Sequence, residues 1–207
     1  MSEKLKLSFI RHGETELLAG GKVLRGWTDD ALTATGWTQM QNGFDHAIVD
    51  KQNFDAIITS DLQRCRLFSE HIAQKHDLPI LINANFREIH FGDWENCDVA
   101  TLFEQFPDEL SQYWQSPSQF TPPNAESLTD FAQRIDTALM QINAFAEQYQ
   151  AKNILVVTHG GVIKYLHCKA KNMPLDAMLT EPAELGTVYR FTWQNHHLAL
   201  CESSCPL

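Results

Sequence analysis

Leu5-Lys6-Leu7-Ser8-Phe9-Ile10-Arg11-His12-Gly13-Glu14-Thr15 is an apolar run that ends abruptly in a guanidinium fork and an imidazole. The run reads as a buried strand. Arg11 and His12 then stand at its carboxyl end, the edge at which open α/β sheets hold their ligands. Gly13 removes side-chain bulk beside the imidazole, so backbone and ligand can approach closely. A polar turn after a strand would explain Arg-His-Gly by itself, but a second stretch argues otherwise. Asn153-Ile154-Leu155-Val156-Val157-Thr158 is another strand-like run, and it ends in His159-Gly160-Gly161. Packing gives no reason for two buried strands each to finish in His-Gly.

Outward from these runs, strands and helices alternate. Residues 54–59 and 79–82 read as strands, with a helix from Leu62 to about Lys75 between them. Thr33 caps a helix reaching about Val49, residues 126–149 form a long amphipathic helix, and another helix starts at Gly161. Residues 187–193 and 197–201 alternate like a hairpin around Gln194-Asn195. The pattern predicts the α/β class: a three-layer α/β/α sandwich whose central sheet is mostly parallel, with the hairpin as antiparallel edge. Residues 99–120, rich in aromatics and interrupted by Pro107 and Pro117, do not fit the sheet. They predict a small helical cap inserted at about 97–122 in a single domain spanning residues 1–207.

Composition narrows the function classes. A chain of 207 residues with 43% hydrophobic and 10% aromatic content is globular, neither disordered nor fibrous. No run approaches the ~18 apolar residues of a membrane span, and the run before Arg11 is too short for the core of a signal peptide. Cys65, Cys97, Cys168, Cys201 and Cys205 are scattered without CxxC spacing, which predicts free thiols, a cytoplasmic location and no zinc site. Cys201 and Cys205 could form a redox pair, although a frayed tail explains them more simply. A net charge of −10 argues against nucleic acid as a partner. Arginines and histidines gathered at strand ends of an acidic chain suit a small phosphate ligand instead.

Four blocks together carry a resemblance. Arg11-His12-Gly13-Glu14-Thr15, Ser60-Asp61-Leu62-Gln63-Arg64, Arg87 to Glu95 (Arg-Glu-Ile-His-Phe-Gly-Asp-Trp-Glu) and Thr158-His159-Gly160-Gly161 resemble, in order, the signature blocks of the histidine phosphatase superfamily. With flanking elements the resemblance covers essentially the whole chain. Within that superfamily, the short length, Phe91-Gly92-Asp93-Trp94-Glu95 and Met173-Pro174-Leu175-Asp176-Ala177-Met178 are most similar to α-ribazole phosphatases. This implies α-ribazole 5′-phosphate as substrate, in cobalamin nucleotide-loop biosynthesis. One position departs from the family: where Asn commonly stands three residues after Arg-His-Gly-Glu-Thr, this chain has Leu18. The loop beyond carries Arg25-Gly26-Trp27-Thr28-Asp29.

The chemistry of a phosphomonoester assigns roles to these residues. Its oxygens need neutralising, its phosphorus needs an in-line nucleophile, and its leaving oxygen needs a proton. Arg11 and Arg64 can each grip two phosphate oxygens through a planar fork. His12 is the candidate nucleophile, forming a phosphohistidine that water hydrolyses. Neighbouring guanidinium groups keep it neutral, and by family resemblance the Gly13 carbonyl fixes its tautomer. His159 donates to the phosphoryl oxygens, adding positive charge. Glu88 is the candidate general acid, with partial burial and the phosphate raising its pKa. Glu14 braces the loop after His12, and Glu95 pins the turn after Trp94. Gly160 and Arg25 join the substrate-binding set, and Trp114 is a candidate stacking ring at the pocket mouth. The remaining histidines, His90 among them, read as structural or exposed. No metal and no cofactor are expected. A broad sugar or nucleotide phosphatase, a phosphoglycerate mutase and a phospho-ligand-binding module are the alternatives. The short cap favours hydrolysis over mutase chemistry, and the intact His12, Arg64 and Glu88 favour an enzyme.

Overall fold

In the computed structural model, which describes residues 3–21, 23–49 and 53–201, the first apolar run is strand β1 (Leu5–Arg11). A short helix α1 (Glu16–Ala19) and the long helix α2 (Ala34–Val49) follow, the latter capped as expected by Thr33, whose Oγ1 accepts from the Gly36 N–H at 3.0 Å. Next come β2 (Ala56–Thr59), α3 (Gln63–His76) and β3 (Ile80–Ile82). The aromatic insertion is two helices, α4 (Val99–Gln105) and α5 (Pro107–Gln115). Helix α6 (Leu128–Tyr149) starts two residues later than its pattern suggested, because Ser127 caps it by accepting from the Asp130 N–H. Then β4 (Asn153–Thr158), α7 (Gly160–Lys171), β5 (Val188–Gln194) and β6 (His197–Leu200) complete the strands and α-helices of the described residues.

Among the described residues the sheet has six strands in the order β3-β2-β4-β1-β5-β6. Neighbours within β3-β2-β4-β1 pair in parallel, and β5 and β6 pair antiparallel. The hairpin turn sits one residue later than Gln194-Asn195. Gln194 still pairs with His197, and Asn195 and His196 take the left-handed conformation (φ 50° and 63°) that a tight two-residue hairpin turn demands.

Strand alternation divides the core into two layers. Ile154 and Val156 of β4, with Leu7 and Phe9 of β1, face Phe131, Ile135 and Leu139 of α6 and Ile163 and Leu166 of α7. Leu155 and Val157, with Ile10 and Ile57, face Met40 and Phe44 of α2 and Phe68 and Ile72 of α3. A third, smaller cluster joins Leu24, Trp94, Leu102, Leu110 and Tyr113 and seals α4 and α5 onto the loops beside the sheet. Cys65, Cys97 and Cys168 are free thiols. Cys205, and with it the suggested pair with Cys201, lies outside the described residues. No helix among the described residues is long and apolar enough to cross a membrane.

Candidate active site

Register brings the four blocks together. Arg11 pairs with Thr158 and Thr59 with Val157, so β1, β4 and β2 end level, and the residues after them meet. The His12 N–H donates to the Thr158 carbonyl (2.9 Å) and the Ser60 N–H to that of Val157 (3.0 Å). The imidazoles of His12 and His159 lie edge to face, with ring centroids 5.3 Å apart.

Both rings are buried. The His12 Nδ1–H donates to the Gly13 carbonyl at 2.8 Å, leaving the Nε2 lone pair unprotonated. Burial, and then the guanidinium groups of Arg64, Arg11 and Arg25, push its pKa well below the ordinary histidine value. Gly13 must lack a side chain for another reason as well, since a Cβ there would strike the Gly36 backbone at the start of α2.

His159 corrects one expectation. Its Nδ1 accepts from Arg64 Nε (3.2 Å), so its Nε2–H donates to Ser60 Oγ (2.8 Å). Burial first, and Arg64 next, hold it well below the usual histidine range. It is therefore a neutral dipole and adds no positive charge.

The cations are arginines. Arg11 donates through Nη1 to the Ala183 carbonyl, and its guanidinium lies over Gly160, where a Cβ would come within 3.1 Å of Nε. Gly160 thus makes room for the fork at the start of α7, whose positive end faces the same edge. Arg64 is fully buried, with bonds to the carbonyls of Thr28 and Gly26 (both 2.6 Å), to Asp30 Oδ1 (3.4 Å) and to His159. Four of its five N–H donors are engaged, so Arg64 can offer a ligand one donor and must exchange a partner to offer two. Arg25 joins them: its Nη1 donates to Thr15 Oγ1 and to Asp30 Oδ2 (2.9 Å). Burial, reinforced by Arg64, lowers its pKa to about 10. Arg11 Nε and Arg25 Nε are buried donors without a hydrogen-bond partner among the described residues. Leu18, partly buried in α1, brings no polar atom here.

Glu88 reaches the same edge from the turn after the 3-10 helix Ala84–Phe86. Its Oε2 accepts from the Gly161 N–H at 2.9 Å, and a Cβ on Gly161 would collide with the carboxylate. Arg134 of α6 fastens this turn, donating to the carbonyls of Asn85, Arg87 and Glu88 while paired with Glu126 (2.7 Å).

Sequence reasoning missed Asp30 and Arg134 altogether, because nothing local marks a carboxylate that will bridge two distant arginines or a helix arginine that will fasten a distant turn. It named Glu95 but misplaced it. Glu95 accepts from the N–H groups of Gly26, Trp27, Thr28 and Phe91 and from the Thr28 hydroxyl, so it clamps the loop that holds Arg64. Glu14 braces the start of α2 through Thr33 (2.8 Å). Trp114 is a further correction. It is 44% exposed in a groove with Asp98, Val99, Phe103, Glu104 and Leu110, and none of Arg11, His12, Arg64, Glu88 or His159 lines that groove. Its neighbour Tyr113 is buried against Trp94 and Phe91. The helical face of α5 turns Tyr113 inward, which leaves Trp114 pointing off the site. Among the described residues no group of three or more His, Cys, Asp or Glu side chains could hold a metal ion.

A family model described as "Histidine phosphatase superfamily (branch 1)" matches residues 7–204. The chain is 32% identical over 174 residues, 84% of its length and 83% of the relative's, to the adenosylcobalamin/alpha-ribazole phosphatase of Escherichia coli (strain K12). The alpha-ribazole phosphatase structure from Shigella flexneri aligns at a TM-score of 0.80 and 27% identity, covering 95% of both chains. Bacillus stearothermophilus YhfR aligns at a TM-score of 0.83 and 26% identity, covering 97% of this chain and 98% of that one.

Proposed function

The chain belongs to the histidine phosphatase superfamily and is a phosphatase, a hydrolase of phosphoric monoesters; from that premise we propose a metal-independent mechanism through a phosphohistidine at His12. One observation carries this reading. His12 is held neutral in a single tautomer beside three guanidinium groups, two of which keep a buried N–H donor unpaired. An unpaired buried donor is costly, and a phosphate oxygen is the acceptor that satisfies it.

Arg11, Arg25 and Arg64 neutralise the phosphoryl oxygens while the start of α7 presents N–H dipoles to them, and the neutral His159 gives them its one N–H, on Nε2, by exchanging Ser60 for a phosphoryl oxygen. The His12 Nε2 lone pair forms the N–P bond as the P–O bond to the leaving alcohol breaks, and Glu88 gives that oxygen its proton. Water then attacks phosphorus, Glu88 takes the water's proton, and the N–P bond breaks to free phosphate and the neutral imidazole. The substrate we propose is α-ribazole 5′-phosphate, supported by the likeness to phosphatases named for it. The enzyme would act in the cytoplasm on this free small molecule, in cobalamin biosynthesis and with no nucleic acid as partner.

Turnover of a labelled phosphomonoester in EDTA, quenched in alkali because phosphohistidine is acid-labile, should leave ³²P on His12, and His12→Ala should abolish turnover. Near-normal rates in His12→Ala with no labelled histidine would sink the covalent mechanism. A panel of phosphometabolites including nucleotides and sugar phosphates tests the substrate.

A further inference from the structure

Trp27 lies in the loop that closes around Arg64: the carbonyls of its two neighbours, Gly26 and Thr28, both accept from that guanidinium. Its indole Nε1–H donates to the backbone carbonyl of Glu88 at 2.9 Å. The ring is thus tied to the residue that meets the leaving oxygen. One face rests on the Arg87 guanidinium, whose carbon stands 4.7 Å from the ring centroid, and Arg87 is itself anchored on Asp61. The His90 imidazole meets the indole edge-on at 5.0 Å, and Glu95 pins the Trp27 backbone N–H at 2.9 Å.

An indole held by so many contacts is normally buried, yet Trp27 is 38% exposed. Its backing, its edge and its backbone are all fixed, while the residue stays partly open to solvent next to the Glu88 backbone. A rigid, wet aromatic surface suits a flat ligand, because stacking on it costs little side-chain entropy and gains about 1–3 kcal/mol for a base-sized ring. Resting on the phosphatase reading above, we infer that Trp27 is the platform on which the leaving group stacks, and that the enzyme prefers phosphomonoesters whose alcohol carries a flat aromatic or heteroaromatic ring. His90 bounds the platform at its edge. The preference belongs to the leaving group alone, since the phosphoryl group is held by the arginines.

The test compares kcat/KM on 2-naphthylmethyl phosphate and cyclohexylmethyl phosphate, two primary alkyl esters that differ in flatness. In Trp27→Ala the ratio of the first to the second should fall about 5- to 150-fold, and Trp27→Phe should restore much of it. Should Trp27→Ala not fold, Trp27→Phe against Trp27→Leu makes the same comparison, a ring against no ring. A ratio within about twofold of wild type in both Ala and Leu variants overturns the platform while leaving the phosphatase reading intact. A wild type that hydrolyses neither ester likewise overturns the platform, whereas full activity in His12→Ala overturns the covalent mechanism, so the two failures are told apart.

Discussion

Glu95 offers the sharpest test of how the phosphate site is assembled. Its two carboxylate oxygens accept five donors, four of them backbone N–H groups, at 2.9–3.2 Å. In Glu95→Gln the amide oxygen can serve one side of this clamp, but the NH₂ faces N–H donors on the other. Hydrogen bonds to a charged group contribute about 1.5–3 kcal/mol each. Two are lost, and because Glu95 is partly exposed, water recovers part of the loss, leaving a cost of about 2–4 kcal/mol. For a chain of this size that is roughly a 4–16 °C fall in melting temperature. The loop so released carries the Gly26 and Thr28 carbonyls that hold Arg64, so KM for any phosphomonoester should rise and inhibition by inorganic phosphate should weaken, with kcat less affected. Burial pushes the Glu95 carboxyl pKa up, but the N–H bonds outweigh it and hold it below the usual value near 4.5. A lowered folded value means the stabilisation is present above about 4.5 and lost as the pH falls through the folded pKa, so wild type and variant should converge in acid. Scanning calorimetry and initial-rate kinetics give both readouts. A melting temperature within about 2 °C of wild type with unchanged KM would refute the clamp.

Further outcomes follow from other contacts. Glu88→Gln should impair alkyl phosphates far more than p-nitrophenyl phosphate, whose phenolate leaves unaided, and equal losses would make Glu88 a binding residue. Because His12 and His159 are kept neutral when folded but accept protons near pH 6.5 when unfolded, each should cost about 1.4 kcal/mol of stability per pH unit below 6.5. Urea midpoints at pH 7.5 and 5.5 read this, and a pH dependence undiminished in the double variant His12→Asn/His159→Asn contradicts it. Tyr113→Ala should cost about 3–5 kcal/mol by emptying the cap core, while Trp114→Ala should leave melting temperature and kcat/KM close to wild type; the reverse order would restore Trp114 as a substrate contact.

The amino-acid sequence by itself determined the layered α/β fold, the ends of its strands to within a residue or two, and the residue types gathered at the sheet edge. Hydrophobic period and glycine are local signals: the alternation within Asn153–Thr158 dictates which side chains meet α6 and which meet α3, and His-Gly after each strand can be read without knowing what lies beside it. What each polar group does depended on partners distant in the chain. Asp30 bridges Arg25 and Arg64, Arg134 fastens the Glu88 turn from 46 to 49 residues away, and Glu95 clamps a loop nearly 70 residues before it. The same holds for His159, whose neutrality follows from desolvation and from Arg64, and for the exchange of Trp114 for Trp27 as the ring beside the site. Hydrogen bonds and charges act over a few ångströms in space with no regular spacing along the chain, so tertiary structure alone decided which donor found which acceptor.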